Sequence, residues 1–195
     1  AGMTHLSSAL LIYGCASNRL GLVDDCTTVT DYDEEEIARK HTLSASTAFA
    51  EWKKTKVNLI DTPGMANFFS DSRNALRVVE AALVVVDAVS GSEVITEKVW
   101  AAANEIDLPC LVVLNRLDRE RASLSRSIES LQEALGRTVV PIQLPIGEEK
   151  DFRGVIDLVA MKAITFSDDG KRLWEHSLVE QLARLTFPNG RTGSL

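Results

Sequence analysis

VNLIDTPGMANFF, residues 57–69, is the stretch on which the reading of this chain turns. A short apolar run, VNLI, ends in Asp61, Thr62, Pro63 and Gly64. A run of that length closed by Pro-Gly predicts a β-strand entering a tight turn. An aspartate at the end of a buried strand can hold a divalent cation, usually through water. The glycine lets a backbone N–H approach a phosphate with no Cβ in the way. The plainer reading is a strand-to-turn junction, where Pro-Gly is common. Met65 comes next, and a thioether cannot usefully orient water or carry charge.

Working outward, HTLSASTAFAEW (41–52) alternates as a strand should and KKTK (53–56) reads as a turn, so an antiparallel hairpin is expected. Downstream, residues 70–79 are amphipathic and helical, with Ala75, Leu76 and Val79 on one side. AALVVVDAV (81–89) is a continuous β-branched run, the pattern of a strand buried on both faces. SEVITEKVWAAANEI (92–106) reads as a helix with Ile95, Val99 and Ala102 inward. PCLVVLNRLD (109–118) is another buried strand, and ASLSRSIESLQEALG (122–136) a helix stopped by Gly136. VVPIQLPIG (139–147) carries two prolines, which places it at a sheet edge. Residues 152–166 hold one or two strands, and DDG (168–170) signals a hairpin turn. Before the hairpin, residues 4–16 read as a helix whose apolar residues Leu6, Ala9, Leu10 and Tyr13 fall at helical spacing, with Gly14 as its stop. Residues 17–40 form a long polar loop with a short acidic helix near 33–39. DEEE (33–36) reads as a solvated helix start. Trp52, Trp100 and Trp174 read as core or rim packing, and the run 116–126 as a solvated basic face.

Strand, helix, strand, helix, strand is the signature of an α/β sheet with right-handed crossovers. Ligands in such sheets bind beyond the carboxyl ends of the strands, which here carry Asp61, Asp87, Asn115 and Asp118. The 195 residues suffice for one sizeable core with a small appendage. A net charge of -7 argues against general affinity for nucleic-acid phosphates. Cys15, Cys26 and Cys110 have no metal-ligand spacing and suit a reducing compartment. No stretch is long and apolar enough to span a bilayer, and the N-terminus lacks a signal-peptide design, so the expected location is the cytoplasm.

The motif NRLD adds chemistry. An aspartate at Asp118 can accept two hydrogen bonds from the N1–H and exocyclic amine of guanine, a bidentate contact. Asn115 can brace the loop and touch the other edge of the base, and the stem of Arg116 can lie over the ring. An ordinary turn or N-cap is the plainer reading. An unrelated α/β nucleotide enzyme stays open on these residues alone.

Taken together, DTPG at one strand end and NRLD at a later one resemble P-loop GTPases. NLIDTPG, DAVSG, TEKVWAAANE, NRLDR and VPIQLPIGEEKDFRGVIDLVAMKA narrow the resemblance to the GTP-binding domain of bacterial elongation factor G and its paralogues. LGLVDDCTTVTDYDEEE is similar to the stretch before switch I of that family. The resemblance runs over residues 4–165. It implies a P-loop NTPase three-layer sandwich with a mostly parallel sheet and part of an insert subdomain. Residues 1–138 would be the GTPase domain, lacking its first strand and most of the phosphate loop. Residues 139–195 would be a partial insert and tail. The implied cofactors are GTP or GDP and Mg2+. The implied partners are the guanine nucleotide and the ribosome, for a monomer without membrane or sequence-specific DNA contacts.

Carried over residue by residue, the resemblance implies nucleotide contacts at Gly2, Thr4, Asp61, Gly64, Asn115, Arg116 and Asp118. It implies Mg2+ contacts at Thr4, Thr42 and Asp61. Gly64 would sense the γ-phosphate. Arg116 replaces the usual lysine of the guanine motif. Lys40 and His41 stand where the family has glycine and an aliphatic residue. Met3 stands where the phosphate loop has its lysine, which implies weak nucleotide binding. Met65 stands at the position of the usual histidine that aligns the attacking water, which implies slow hydrolysis. TGSL (192–195) is at best a stump of the motif that contacts guanine O6. The alternative is a degenerate, non-hydrolysing homologue that acts as a binding module.

Overall fold

The computed structural model describes residues 2–14, 16, 21–23, 25, 27–167 and 173–177. Cys15, Cys26, the DDG turn and the TGSL end lie outside them. The chain divides into two compact units, Ala1–Val86 with Glu93–Asn115, and Asp87–Ser92 with Arg116–Leu195.

In the first unit, helices α1 (Met3–Tyr13) and α2 (Glu34–Arg39) precede a hairpin of β1 (Ser46–Trp52) and β2 (Thr55–Asp61). The strands pair antiparallel from Ser46 opposite Asp61 to Trp52 opposite Thr55. A two-residue hairpin loop of this hand needs positive φ at both positions. Lys53 and Lys54 adopt it, at φ 45 and 67. A short 3-10 turn (Ala66–Phe68) then leads into α3 (Phe69–Leu76), β3 (Ala82–Asp87), α4 (Val94–Asn104) and β4 (Cys110–Asn115). β3 hydrogen-bonds β4, and a crossover through a helix joins them. Leu76, Ala102 and Ala103 form a buried cluster, with Phe69, Ala82, Val99, Leu108 and Cys110 packed on it. Alanines along α4 let it approach α3 closely, and the helix starts on a capping box of Glu93 and Thr96.

Two expectations fail here. The inner face of α1 is Thr4, Ser7, Ser8 and Leu11, while Leu10 and Tyr13 are exposed. Small hydroxyl side chains let the helix lie close to the hairpin, and Gly14 ends it against Ala50. Hydrophobic periodicity cannot find a face built from serine and threonine. β3 is not buried on both faces either. Val84 and Val86 are buried on one face and Leu83 is exposed on the other, and in β4, also expected to be buried, Leu111 is exposed.

In the second unit, α5 (Leu124–Leu135) ends at Gly136, whose φ of 101 suits glycine. Buried Leu131 anchors it, and the Ser127 hydroxyl donates to the Ala88 carbonyl at 2.9 Å. Strands β5 (Gln143–Ile146), β6 (Gly154–Asp157), β7 (Lys162–Phe166) and β8 (Leu173–Ser177) form an antiparallel sheet in chain order. β5, with Pro145 in it, lies at the edge as its prolines predict.

Candidate functional site

Asp61 is the last residue of β2 and is 1 % exposed. Its Oδ2 accepts the hydroxyl of Thr30 at 2.8 Å. Its Oδ1 is buried and receives no hydrogen bond. Burial pushes the Asp61 carboxyl above the ordinary range. The Thr30 hydroxyl, and that of Thr4 close by, pull it back, while Asp31 and Glu36 push it further up. Thr4 eases the ionised form by proximity without meeting hydrogen-bond geometry at Oδ1.

Thr4 sits in the first turn of α1, and Thr42 follows α2. Their hydroxyl oxygens are 3.1 Å apart. Thr42 donates its one proton to Asp31 Oδ1 at 2.8 Å, so Thr4 is the donor to Thr42. Asp31 is buried, and burial raises its carboxyl even though Thr42 stabilises the anion. The fold thus brings Thr4, Thr42 and Asp61 into one polar network. Among the described residues no group of three His, Cys, Asp or Glu side chains could hold a metal ion, so any cation here would lean on hydroxyl oxygens as well as carboxylates.

Glu36 corrects the reading of DEEE as a solvated helix start. Asp33 is the N-cap, and its carboxylate accepts the Glu35 N–H at 2.8 Å. Glu36, however, is 2 % exposed. Its Oε1 accepts the N–H of Leu43 at 2.8 Å, the N–H of Ser44 at 3.0 Å and the Ser44 hydroxyl at 3.3 Å. Glu36 occupies the third position of α2, where acidic residues serve helix starts anyway. That local explanation hides a tertiary role, and Thr30 and Asp31 were missed for the same want of a pattern. His41 is exposed. Lys40 has φ 54, the left-handed region that glycine takes most easily.

Gly2 also has positive φ, 91, and a Cβ there would lie 2.5 Å from the Asn115 side-chain nitrogen. The start of α1 and the end of β4 therefore meet at a position whose left-handed φ favours glycine. Gly64 differs. Its φ is outside the left-handed region, and an added Cβ would meet no atom within 4 Å. The fold itself does not require a glycine there. Met65 follows, 45 % exposed, at the mouth of the 3-10 turn.

The boundary between the compact units falls after Asn115. In the second unit Arg116 takes φ 64, and its Nη1 donates to Asp87 Oδ2 at 2.8 Å. Burial raises the Asp87 carboxyl, but the Val89 N–H and then Arg116 outweigh it and hold the group below the usual range. The guanidinium of Arg116 is thus committed to a carboxylate that sequence reading noted only as a strand end. Asp118 is exposed in the turn. A surface depression of about 470 Å³ in this unit is lined by Glu120, Arg121 and Glu148 to Asp151. It contains none of the expected site residues.

Residues 1–186 match the family described as Elongation factor Tu GTP binding domain. Elongation factor G of Pseudothermotoga lettingae is 39% identical over 186 residues, 95% of this chain and 27% of that protein. Elongation factor G of Mycoplasma pneumoniae is 39% identical over 171 residues, 88% of this chain and 25% of that protein. A crystal structure of a protein from Thermus thermophilus superposes with a TM-score of 0.83 at 33% identity, over 94% of this chain and 28% of the other. The chain thus spans about a quarter of the length of the relatives it matches.

Proposed function

The chain belongs to the elongation factor Tu GTP-binding domain family, and from that premise we propose that it is the guanine-nucleotide-binding domain of an elongation factor G-type translational GTPase. The observation that carries this reading is the meeting of Thr4, Thr42 and Asp61, three residues far apart in sequence. Residues 1–138 serve as the nucleotide-binding domain and 139–195 as the start of an insert. The whole protein works on the ribosome, in the cytoplasm, as a monomer. No helix among the described residues is long and apolar enough to cross a membrane.

The network fits Mg2+. Thr4 and Thr42 would hold it through hydroxyl oxygens that the fold brings together. The unpartnered Oδ1 of Asp61 is free to accept from a bound water. In this reading Thr4 and Thr42 are direct ligands and Asp61 acts through water. The ion, when bound, neutralises charge on the β- and γ-phosphates. Gly2 starts α1, whose N-terminal amides favour an anion. Gly64 offers an N–H to the γ-phosphate, and the open space around it supports that use. Asn115 and Asp118 read guanine, with the stem of Arg116 over the ring.

Met3 gives the phosphates no cation, so affinity is modest. Met65 gives the attacking water no partner, so hydrolysis is slow. The test is calorimetric competition between GDP and ADP with Mg2+. Guanine preference is expected with a Kd of about 1 μM or weaker. Equal binding of both nucleotides would refute the assignment of Asp118, and submicromolar GDP affinity would refute the weight given to Met3.

A further inference from the structure

Glu36 is a nearly fully buried carboxylate that the proposed chemistry leaves without a task. One of its oxygens collects three donors, all from the two residues that follow Thr42. Asp31, also buried, takes the proton of Thr42 itself. The segment between them, Lys40 and His41, turns through a left-handed lysine, a conformation that needs outside contacts to hold it. The amides of Lys40 and His41 return to the Glu36 carbonyl and close α2. The backbone on the far side of the turn is tied to the side chain of the same buried glutamate.

We infer that Asp31 and Glu36 form a clamp that presets Thr42 beside Thr4 before any nucleotide arrives. Both are positioning residues. Glu36 fixes the backbone at Leu43 and Ser44, and Asp31 fixes the rotamer of the threonine. The two Thr42 contacts divide the work. The bond to Asp31 uses the Thr42 hydroxyl proton, so of the two oxygen lone pairs one accepts from Thr4 and the other is left for a cation. An anion at Asp31 therefore orients the hydroxyl as a ligand rather than competing for its lone pairs. The consequence for nucleotide rests on the reading in the preceding section. A segment closed in advance spends less of the γ-phosphate contact on ordering, so the preference for triphosphate over diphosphate depends on the clamp.

Two measurements separate the clamp from its consequence. Without nucleotide, amide exchange at Leu43 and Ser44 is protected in the wild type. Protection falls at least about tenfold in Glu36→Ala and is partly kept in Glu36→Gln, which retains a carbonyl acceptor. With Mg2+, Glu36→Ala and Asp31→Ala each lose about tenfold in preference for a non-hydrolysable GTP analogue over GDP, while GDP affinity stays within about twofold. Unchanged exchange in Glu36→Ala overturns the clamp. Lost protection with the triphosphate preference intact overturns its role in positioning Thr42. If the alanine variants do not fold, Glu36→Gln and Asp31→Asn decide the same points with smaller shifts. A wild type indifferent to the γ-phosphate sinks the metal-site reading, and the exchange result then decides the clamp alone.

Discussion

The strand end at Asp61 and the strand end at Asn115 present polar residues in opposite ways. At Asp61 the groups are interlocked and, apart from half-buried Thr42, buried. Thr30, Thr4, Thr42, Asp31 and Glu36 hold one another and their neighbours through bonds of 2.8–3.3 Å. At the turn after Asn115 the committed element is Arg116, pinned to Asp87, and Asp118 stands exposed. Burial makes the first region costly to leave unsatisfied, and Asp61 carries that cost in its raised carboxyl and orphan oxygen. The second region spends little on burial and leaves Asp118, the proposed base reader, in solvent. A site for phosphate and metal needs preset oxygens, whereas a base can be recognised by a single carboxylate that becomes desolvated on contact.

That contrast can be broken at several points. The largest effect is expected at the exposed end. On the proposed reading Asp118→Ala removes a bidentate acceptor and should lower GDP affinity about a hundredfold, since hydrogen bonds to a charged group are each worth ~1.5–3 kcal/mol. Its melting temperature stays within about a degree, because the residue supports nothing else. A comparable loss of stability would show Asp118 to be structural.

Next comes the turn after Asp61. Met65→His supplies a group able to orient water, and single-turnover GTP hydrolysis with ribosomes should rise about a hundredfold. Brisk wild-type turnover, with no gain in the variant, would remove the assigned cause of slow hydrolysis. Gly64→Ala is the sharper control. The space around Gly64 is open, so urea unfolding should be unchanged within about 0.5 kcal/mol. Discrimination of GTP from GDP should fall about tenfold. A large stability loss would show that the fold, and not a ligand, demands the glycine.

The smallest effect concerns Asp87. Its folded carboxyl lies below the ordinary value of 3.8, so the stabilisation is fully present above that value and is lost as pH falls through the folded one. Asp87→Asn should cost a few tenths to about 1 kcal/mol at neutral pH, given the partly exposed arginine. The gap to wild type should close as urea titrations move below about pH 4. A constant gap would mean that the charge on Asp87 is not what stabilises the turn.

The same contrast explains what the sequence disclosed. The carboxyl ends of β2 and β4 were legible because their apolar runs and turn residues are local signals. DTPG and NRLD each read as an ordinary turn alone and took their meaning from occurring together. The hairpin, the α-helices and the edge position of β5 followed from period and proline. The partners of Asp61 were not legible. Thr30, Asp31 and Glu36 lie in a polar stretch with no period, and Thr30 meets Asp61 from 31 positions away. Glu36 is the clearest case. At the third position of a helix an acid has a sufficient local reason to exist, so nothing marked it as buried. The hydroxyl face of α1 was missed because small polar side chains bury without a hydrophobic signature.

On this account the buried network of hydroxyls and carboxylates is a magnesium-coupled guanine-nucleotide site. The most direct test is calorimetric titration of the wild type and Asp61→Asn with GDP and a GTP analogue, each with Mg2+ and with chelator. Mg2+ should tighten binding of the GTP analogue to the wild type about tenfold or more, and Asp61→Asn should lose that gain while keeping its GDP affinity in chelator. Equal binding with and without Mg2+ in the wild type would contradict the account.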